Sequence, residues 1–177
     1  VMGAGGVGLN SIQGAVLSGA NPIIALDIVE SKLAAAKSFG ATHTVNSAES
    51  SPKNIVYPLT QGRGADFVFV TAGSAALIEQ GRKLLRKGGT VVVVGMTPSG
   101  ANMEIEAVTL ADKCQRILGS KMGSARLQID IPRLVALYEN GRLKLDELIT
   151  NRYPLEDINE AIAAVKQGKA LRNVILF

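Results

Sequence analysis

The chain has 177 residues, of which 47% are hydrophobic and 19% charged, and this is typical of one well-cored domain with at most a small appendage. Its formal charge of +4 is spread along the sequence without interleaved aromatic residues, which argues against a nucleic-acid-binding protein. No apolar run approaches the roughly 20 residues of a membrane-spanning helix, no secretory signal is evident, and the single cysteine excludes an internal disulfide, so we expect a cytoplasmic protein without membrane partners.

Short β-branched runs alternate with helical stretches over the first 121 residues, a pattern typical of an α/β fold. Strands are predicted at 1–2, 23–27, 42–46, 66–71, 90–94 and 116–121, and helices at 7–20, 30–39, 52–59 and 75–87. The strands are almost continuously apolar, as in a sheet that is buried on both faces. We therefore expect a doubly wound, parallel, six-stranded sheet in the order 3-2-1-4-5-6.

After residue 121 the pattern changes to helix, helix and strand. A helix is predicted at 131–140, with Asp130 as N-cap and Pro132 in its first turn, then a second helix at 156–166 and a strand at 173–177. These elements are too few for a separate domain, so residues 122–177 are expected to pack on another domain. Only two strand residues precede the first glycine, so we also expect the chain to be truncated within its first strand and to be the C-terminal part of a longer protein.

A glycine-rich loop lies between the first predicted strand and the first helix. Gly3, Gly5 and Gly8 have the spacing G-x-G-x-x-G, which in this context is the fingerprint of a dinucleotide-binding Rossmann fold. Gly3 would permit the tight turn, Gly5 the approach of the pyrophosphate, and Gly8 close packing of helix and sheet. The N–H groups of Gly6 and Val7 would bind the phosphates at the positive end of the helix dipole. The alternative is a plain βα turn of an unrelated α/β protein such as a methyltransferase.

Asp27 ends the next predicted strand, 19 residues after Gly8. A carboxylate at this position would accept hydrogen bonds from the hydroxyls of the adenosine ribose. It would also repel the 2′-phosphate of NADP by about 2–7 kcal/mol in raw Coulomb terms, a penalty that Lys32 would reduce if it lies nearby. The sequence therefore favours NAD over NADP. The alternative for Asp27 is a solvated carboxylate at a strand end.

The chain resembles the C-terminal, NAD-binding half of zinc-containing medium-chain alcohol dehydrogenases over nearly all of its length. The resemblance is carried by the stretches VMGAGGVGLN, IIALDIVESKLAAAKSFGAT, KGGTVVVVGM and LEDINEAIAAVKQGKALRNVILF. The last stretch is the most specific, because a generic Rossmann fold would not predict it. The resemblance implies hydride transfer between a small alcohol or aldehyde and NAD(H), with zinc activation supplied by a catalytic domain upstream of the glycine loop.

The resemblance also implies roles for individual residues. Asp27 and Lys32 would hold the adenosine ribose, and Arg172 would reach the pyrophosphate; the alternative for Arg172 is a surface cation. The nicotinamide side would be lined by residues at the ends of the fourth and fifth predicted strands: Thr71, Ala72, Val94, Gly95 and Met96. Ser120 and Met122 would place backbone groups against the carboxamide. The family's dimers imply a homodimer or tetramer joined through the strand at 116–121.

Catalytic zinc takes about three Cys, His or carboxylate ligands. The chain has one histidine and one cysteine and no H-E-x-x-H or C-x-x-C motif. We interpret His43 as a structural or surface residue and Cys114 as a packing residue, and we expect no metal site. The chain would then bind NAD(H) without turning over substrate by itself.

Two other functions are compatible with a dinucleotide fold. One is a zinc-free NADPH quinone or enoyl reductase of the same superfamily, which Asp27 disfavours because such reductases usually have small or basic groups at its position. The other is a non-catalytic NAD-sensing Rossmann module, which the segment after residue 121 fits poorly.

Overall fold

Parallel strands organise the first 125 residues of the computed structural model, which describes the whole chain from Val1 to Phe177. One block of the sheet has two strands and the other has three. The strands are β1 (Ile24–Asp27) paired with β2 (His43–Asn46), and β3 (Ala65–Val70), β4 (Leu85–Val93) and β5 (Arg116–Gly119) in that order.

Met2 lies between the two blocks and forms one parallel bridge to Leu26 in β1 and another to Val70 in β3. The spatial order is therefore β2-β1-Met2-β3-β4-β5. This agrees with a doubly wound α/β fold, and the first predicted strand is present as the single bridging residue Met2. The carboxyl ends of all these strands meet at one edge, where ligands bind in folds of this class.

Helices connect the strands and pack on them. They are α1 (Gly6–Leu17), α2 (Glu30–Ser38), α3 (Lys53–Leu59), α4 (Ala75–Lys83) and α5 (Ala107–Asp112). Helix α2 contacts β1 and β2, and α4 contacts β3 and β4. The bounds of α1, α2 and α3 lie within three residues of the prediction, whereas α5 was not predicted. No helix anywhere in the chain has both the length and the apolar character needed to cross a membrane.

The boundary between α4 and β4 differs from the prediction. The helix ends at Lys83 and the strand begins at Leu85, not at Thr90. Leucine, arginine and lysine favour helix, but Leu85 pairs with Ala65 of β3, and pairing of this kind overrides local propensity. Gly88, with a φ of 72°, lies in the stretch where the register shifts before regular pairing resumes at Thr90.

Apolar, non-aromatic side chains fill the core between the sheet and its helices. Its buried members are Met2, Leu26, Val45, Val56, Val68, Val70, Ile78, Leu84, Leu85 and Val91. One cationic side chain is also buried, that of Arg82, which is 4% exposed. It forms a bidentate ion pair with Glu79, in which Nε donates to Oε2 at 2.7 Å and Nη2 to Oε1 at 2.8 Å. Arg82 Nη1 also donates to the side-chain oxygen of Gln115 at 3.1 Å, which links the end of α4 to the residue before β5.

Residues 126–177 form a second compact unit. It contains α6 (Leu127–Glu139), β6 (Ile149–Pro154), α7 (Ile158–Lys166) and β7 (Arg172–Leu176), and β6 pairs in parallel with β7. The unit begins four residues after the predicted boundary at 121/122. The predicted α7 and β7 are present within two residues of their expected bounds, while β6 was not predicted.

The predicted start of α6 was wrong. The helix begins at Leu127, so Asp130 lies in its first turn and is not the N-cap. The Asp130 carboxylate instead accepts a hydrogen bond from the backbone N–H of the N-cap residue Arg126 at 2.7 Å. Pro132 lies inside the helix. This hydrogen bond satisfies the backbone N–H of Arg126, which is why the helix can begin upstream of Asp130.

Candidate cofactor site

The glycine loop is shaped by two close backbone approaches. Gly3 has a φ of +98°, and a Cβ on it would lie 2.9 Å from Thr71 Oγ1. A Cβ on Gly8 would lie 1.8 Å from the carbonyl oxygen of Gly3, closer than any real contact. By contrast, a Cβ on Gly5 would have no atom within 4 Å. The loop is thus packed tightly at its two ends and open in the middle.

The start of α1 presents free amide groups. Its N-cap is Gly5, which has no side-chain capping hydrogen bond, and no acidic residue lies in the first turn. In the structure, no hydrogen bond is donated by the backbone N–H groups of Gly5, Gly6, Val7 and Gly8. Such amides, at the positive end of a helix dipole, form a site suited to an anion.

Asp27 lies beside this loop at the carboxyl end of β1. Its Oδ2 accepts a hydrogen bond from the N–H of Ala4 at 2.7 Å. Its Oδ1 accepts from the N–H groups of Ile28 at 2.8 Å and Val29 at 3.0 Å. The carboxylate is half-buried and fixed by three backbone donors, so a negative charge is held next to the glycine loop.

The segments that follow β3 and β4 touch each other at the same edge. The amides of Val94 and Gly95 both donate to the last carbonyl of β3 at 2.9 Å. A Cβ on Gly95 would lie 2.6 Å from the carbonyl of Ala72, and one on Gly73 would lie 2.3 Å from the carbonyl oxygen of Met96. The Met96 side chain is 77% exposed. The structure therefore brings together the strand-end residues that the family resemblance assigned to the nicotinamide side.

The segment after β5 continues this edge. The N–H of Ser120 donates to the carbonyl of Val93 at 2.9 Å, which places Ser120 beside the end of β4. Met122 follows, 81% exposed, with a φ of 50°. Gly123 and Ser124 also have positive φ values, 70° and 50°. Met122 is therefore presented on a left-handed turn, a conformation that non-glycine residues adopt at a cost of about 1–3 kcal/mol.

The two predicted cationic contacts lie apart from the loop in sequence. Lys32 lies in α2, two residues after its first residue Glu30, and is half-buried. Arg172 is the first residue of β7 in the second unit and is exposed. Neither side chain forms a salt bridge within the chain. Their roles toward a cofactor stay predictions.

His43 and Cys114 occupy unremarkable surroundings. His43 is half-buried in β2, and its Nδ1 lies 2.9 Å from the Thr42 hydroxyl. Cys114 is exposed in a turn with a φ of 49°, so the prediction that it packs in the interior was wrong. No three His, Cys, Asp or Glu side chains of the chain are grouped so that they could hold a metal ion.

One contact of the site has no signal in the sequence. The Thr71 hydroxyl lies 2.8 Å from the carbonyl oxygen of Gly3 and 3.1 Å from that of Met2, and it donates to them. The sequence pattern placed Thr71 only at the end of a strand. A contact between residues 68 positions apart depends on the sheet order, which no local spacing shows.

Comparison with known proteins supports the family resemblance seen in the sequence. The family model described as zinc-binding dehydrogenase matches residues 6–140. The NDMA-dependent alcohol dehydrogenase of Amycolatopsis methanolica is 39% identical over 181 residues, which cover 99% of this chain and 48% of that protein. The crystal structure of benzyl alcohol dehydrogenase from Acinetobacter calcoaceticus superposes with a TM-score of 0.94 at 36% identity, covering 98% of this chain and 48% of that one.

A third similar protein, from Sinorhizobium meliloti 1021, was crystallised with NADP. It has a TM-score of 0.80 and 30% identity, covering 92% of this chain and 47% of that one. The chain spans about half the length of the curated relatives that it matches. The family model covers well over half of this chain, from Gly6 to Asn140. The chain therefore belongs to the zinc-binding dehydrogenase family.

Proposed function

We propose that this chain is the NAD(H)-binding portion of an alcohol dehydrogenase that transfers a hydride between a small alcohol or aldehyde and NAD(H). One observation carries the proposal: the free amides at the start of α1 stand beside the fixed carboxylate of Asp27. A diphosphate and the adjoining ribose need these two kinds of group side by side. The similar proteins named above are an NDMA-dependent and a benzyl alcohol dehydrogenase, which supports this reaction class.

The residues of the loop fit a dinucleotide. The open space around Gly5 lets a diphosphate approach the backbone closely, and the amides of Gly6 and Val7 would donate to it. A carboxylate offers about four acceptor positions, and Asp27 uses three for backbone donors. The remaining position would accept a hydroxyl of the adenosine ribose. We also propose that Lys32 contacts the ribose.

When bound, NAD⁺ accepts the hydride and NADH supplies it. The residues of this chain would bind and orient it. Thr71, Ala72, Val94, Gly95, Met96, Ser120 and Met122 lie at the carboxyl edge of β3, β4 and β5, and we propose that this edge receives the nicotinamide half. Backbone groups would fix the carboxamide there, and the two exposed methionines would supply an apolar wall that excludes water from the ring.

Zinc does not fit the residues of this chain, because no group of side chains is arranged as a ligand set. We propose that the zinc of a full-length enzyme, and the groups that activate the alcohol, belong to the part of the protein that lies outside this chain. Residues 122–177 would pack on that part. The chain alone would then bind NAD(H) without catalysing the reaction, in the reducing cytoplasm, where the free Cys114 stays a thiol.

We further propose that subunits join through β5. It is the last strand in the order β3-β4-β5, so one of its edges has no partner strand in the chain. Leu118 is 52% exposed on it. An unpaired edge strand with an exposed apolar side chain is suited to pairing with a second copy. Nothing in the structure favours the zinc-free reductase or the NAD-sensing module, and the family assignment disfavours the reductase.

The test of the proposed function is a titration of the full-length protein with NADH and NADPH, followed by the fluorescence of the reduced nicotinamide. We expect NADH to bind at least about tenfold more tightly, because the charge of Asp27 opposes a 2′-phosphate. The Asp27→Gly variant should narrow that ratio. It should also bind NADH more weakly, because both a ribose acceptor and the hydrogen bond to Ala4 are lost.

Asp112→Asn is the matched control, since Asp112 is an exposed carboxylate at the end of α5 without a salt bridge. It should leave both affinities unchanged. Equal affinities of the parent protein for NADH and NADPH would contradict the role of Asp27. Absence of binding to both nucleotides would contradict the proposed function itself.

A further inference from the structure

We propose that Thr71 is a positioning residue for the glycine loop, whose hydroxyl fixes the direction of the amides that bind the diphosphate. The proposal rests on the proposed NAD(H) binding and assigns Thr71 a different task from that of lining the nicotinamide. The hydroxyl lies within hydrogen-bond distance of two acceptors, the carbonyl oxygens of Gly3 at 2.8 Å and Met2 at 3.1 Å. A threonine hydroxyl has one proton to donate, and here the glycine loop receives it.

The loop is held from both sides at successive residues. The N–H of Gly3 donates to the carbonyl of Leu26 in β1 at 2.8 Å, while the carbonyl of Gly3 accepts from Thr71. The next residue, Ala4, is completely buried, and its N–H donates to Asp27. Hydrogen bonds therefore fix the peptide planes on both sides of Gly3. Residue 5, which follows, is the N-cap of α1.

The Thr71 oxygen also fills space that the two flanking glycines leave. It lies 2.9 Å from the position of a Cβ on Gly3 and 3.0 Å from that of a Cβ on Gly8. The hydroxyl is thus enclosed between the turn and the first residues of α1. Removing it leaves the Gly3 carbonyl without this donor at the point where strand passes into helix. The peptide plane after Gly3 would then be free to rotate, and the N–H groups of Gly6 and Val7 would no longer be directed at the same diphosphate.

The position of Thr71 explains why this residue can act on the loop. It directly follows β3, and β3 is the neighbour of Met2 in the sheet. In the doubly wound order this is the point where the winding direction reverses, and the ligand crevice opens there. A side chain at this point can reach the glycine loop from the side opposite to β1. Asp27 holds the loop from β1, and Thr71 holds it from β3.

The experiment compares Thr71→Val, which removes the hydroxyl at nearly constant shape, with Thr71→Ser, which keeps it. Both are made in the full-length protein, and binding of NADH and of ADP-ribose, which lacks the nicotinamide, is measured. We expect Thr71→Val to weaken both ligands by the same factor, about five- to twentyfold. Thr71→Ser should restore both affinities to within about threefold of the parent.

Ser74→Ala is the matched control. Ser74 is the N-cap of α4 in the same segment, and its side chain makes no capping hydrogen bond. This variant should bind both ligands like the parent. Amide hydrogen exchange of Gly5 to Val7 in the ligand-free protein gives a second measurement, and we expect faster exchange in Thr71→Val than in Thr71→Ser. Thr71→Ala provides another hydroxyl-free variant if Thr71→Val folds poorly.

Three results would overturn the proposal while leaving the proposed function intact. These are parent-like affinities in Thr71→Val, a loss confined to NADH with ADP-ribose unaffected, and equal losses in Thr71→Val and Thr71→Ser. The second would show a direct contact with the nicotinamide, and the third would show that the hydroxyl alone does not position the loop. If the parent binds neither ligand, the proposed function fails and the role of Thr71 falls with it.

Discussion

At the scale of single residues, the carboxylate of Asp27 anchors the glycine loop by accepting a hydrogen bond from the N–H of Ala4. Its place at the end of the second predicted strand, with the glycines upstream, follows from local spacing, and the structure has it at the end of β1. Its hydrogen bond to Ala4 does not follow, because it depends on Met2 lying directly beside β1. The contact of Thr71 with Gly3 is invisible for the same reason, and Cys114 was misjudged because its left-handed turn has no clear sequence signal.

Gly8 is the residue at which we expect the largest local cost. In Gly8→Ala the new methyl group would meet the carbonyl oxygen of Gly3 at 1.8 Å, and that carbonyl is held by Thr71 and cannot easily move. We expect the free energy of unfolding to fall by about 2–3 kcal/mol. Urea unfolding followed by circular dichroism measures it.

Gly14→Ala is the control for Gly8→Ala, since it lies in the same helix and a Cβ there would have nothing within 4 Å. Alanine favours helix over glycine by about 0.5–1 kcal/mol, so this variant should be slightly more stable than the parent. Equal effects of the two substitutions would show that the close approach of Gly8 to Gly3 does not constrain the fold.

At the scale of the element, the sequence located strands and helices better than their ends. Runs such as DFVFV and TVVVV predicted β3 and β4 because β-branched and aromatic residues suit a buried parallel strand. The segment LLRK was predicted as helix because its residues favour helix, and only the pairing of Leu85 with Ala65 shows otherwise. Strand β6 was missed because ITNRYP has little apolar alternation and is defined by its pairing with β7.

The junction between α4 and β5 depends on the buried Arg82. The ion pair with Arg82 holds the pKa of Glu79 below its usual value, so the carboxylate contributes its full stabilisation at neutral pH. We expect Glu79→Gln to lower the free energy of unfolding by about 1–3 kcal/mol at pH 7, because it leaves a nearly buried guanidinium without its anion. The change is measured by urea unfolding.

The pH dependence distinguishes this ion pair from simple packing. A lowered carboxylate pKa in the folded protein means that the stabilisation is lost as the pH falls through that pKa. Parent and Glu79→Gln should therefore converge in stability in acid. Glu104→Gln, at an exposed loop position without a salt bridge, should change stability by less than about 0.5 kcal/mol at any pH. A difference between parent and Glu79→Gln that persists in acid would contradict the ion-pair explanation.

At the scale of the whole molecule, the second unit has more apolar surface than its own elements cover. Helix α6 has no buried residue, although it carries Leu127, Ile131, Leu134 and Val135, each between 47% and 58% exposed. On α7, Ile158, Ile162 and Val165 are 39%, 45% and 54% exposed. Periodicity showed which faces are apolar, but only a partner surface can show what they contact.

We expect the 177-residue chain to bind a hydrophobic dye, and the full-length protein to bind much less, because the second unit would be covered there. Replacing Ile162 and Val165 together by glutamate should reduce the dye fluorescence of the chain without reducing its helical circular dichroism signal. Lys166→Gln, on the same helix, is the control and should change neither. A monomeric chain that binds no dye would contradict this view of the second unit.

The unequal surroundings of the motif's glycines have a practical consequence. Gly5 has an extended backbone (φ −75°, ψ −173°) that any amino acid can adopt, and empty space where its side chain would begin. A valine at this position would disturb no packed neighbour, yet its methyl groups would stand in the path of an incoming diphosphate. We therefore expect Gly5→Val to separate folding from the proposed nucleotide binding, and to provide an intact but binding-deficient protein as a reference for tests of that binding.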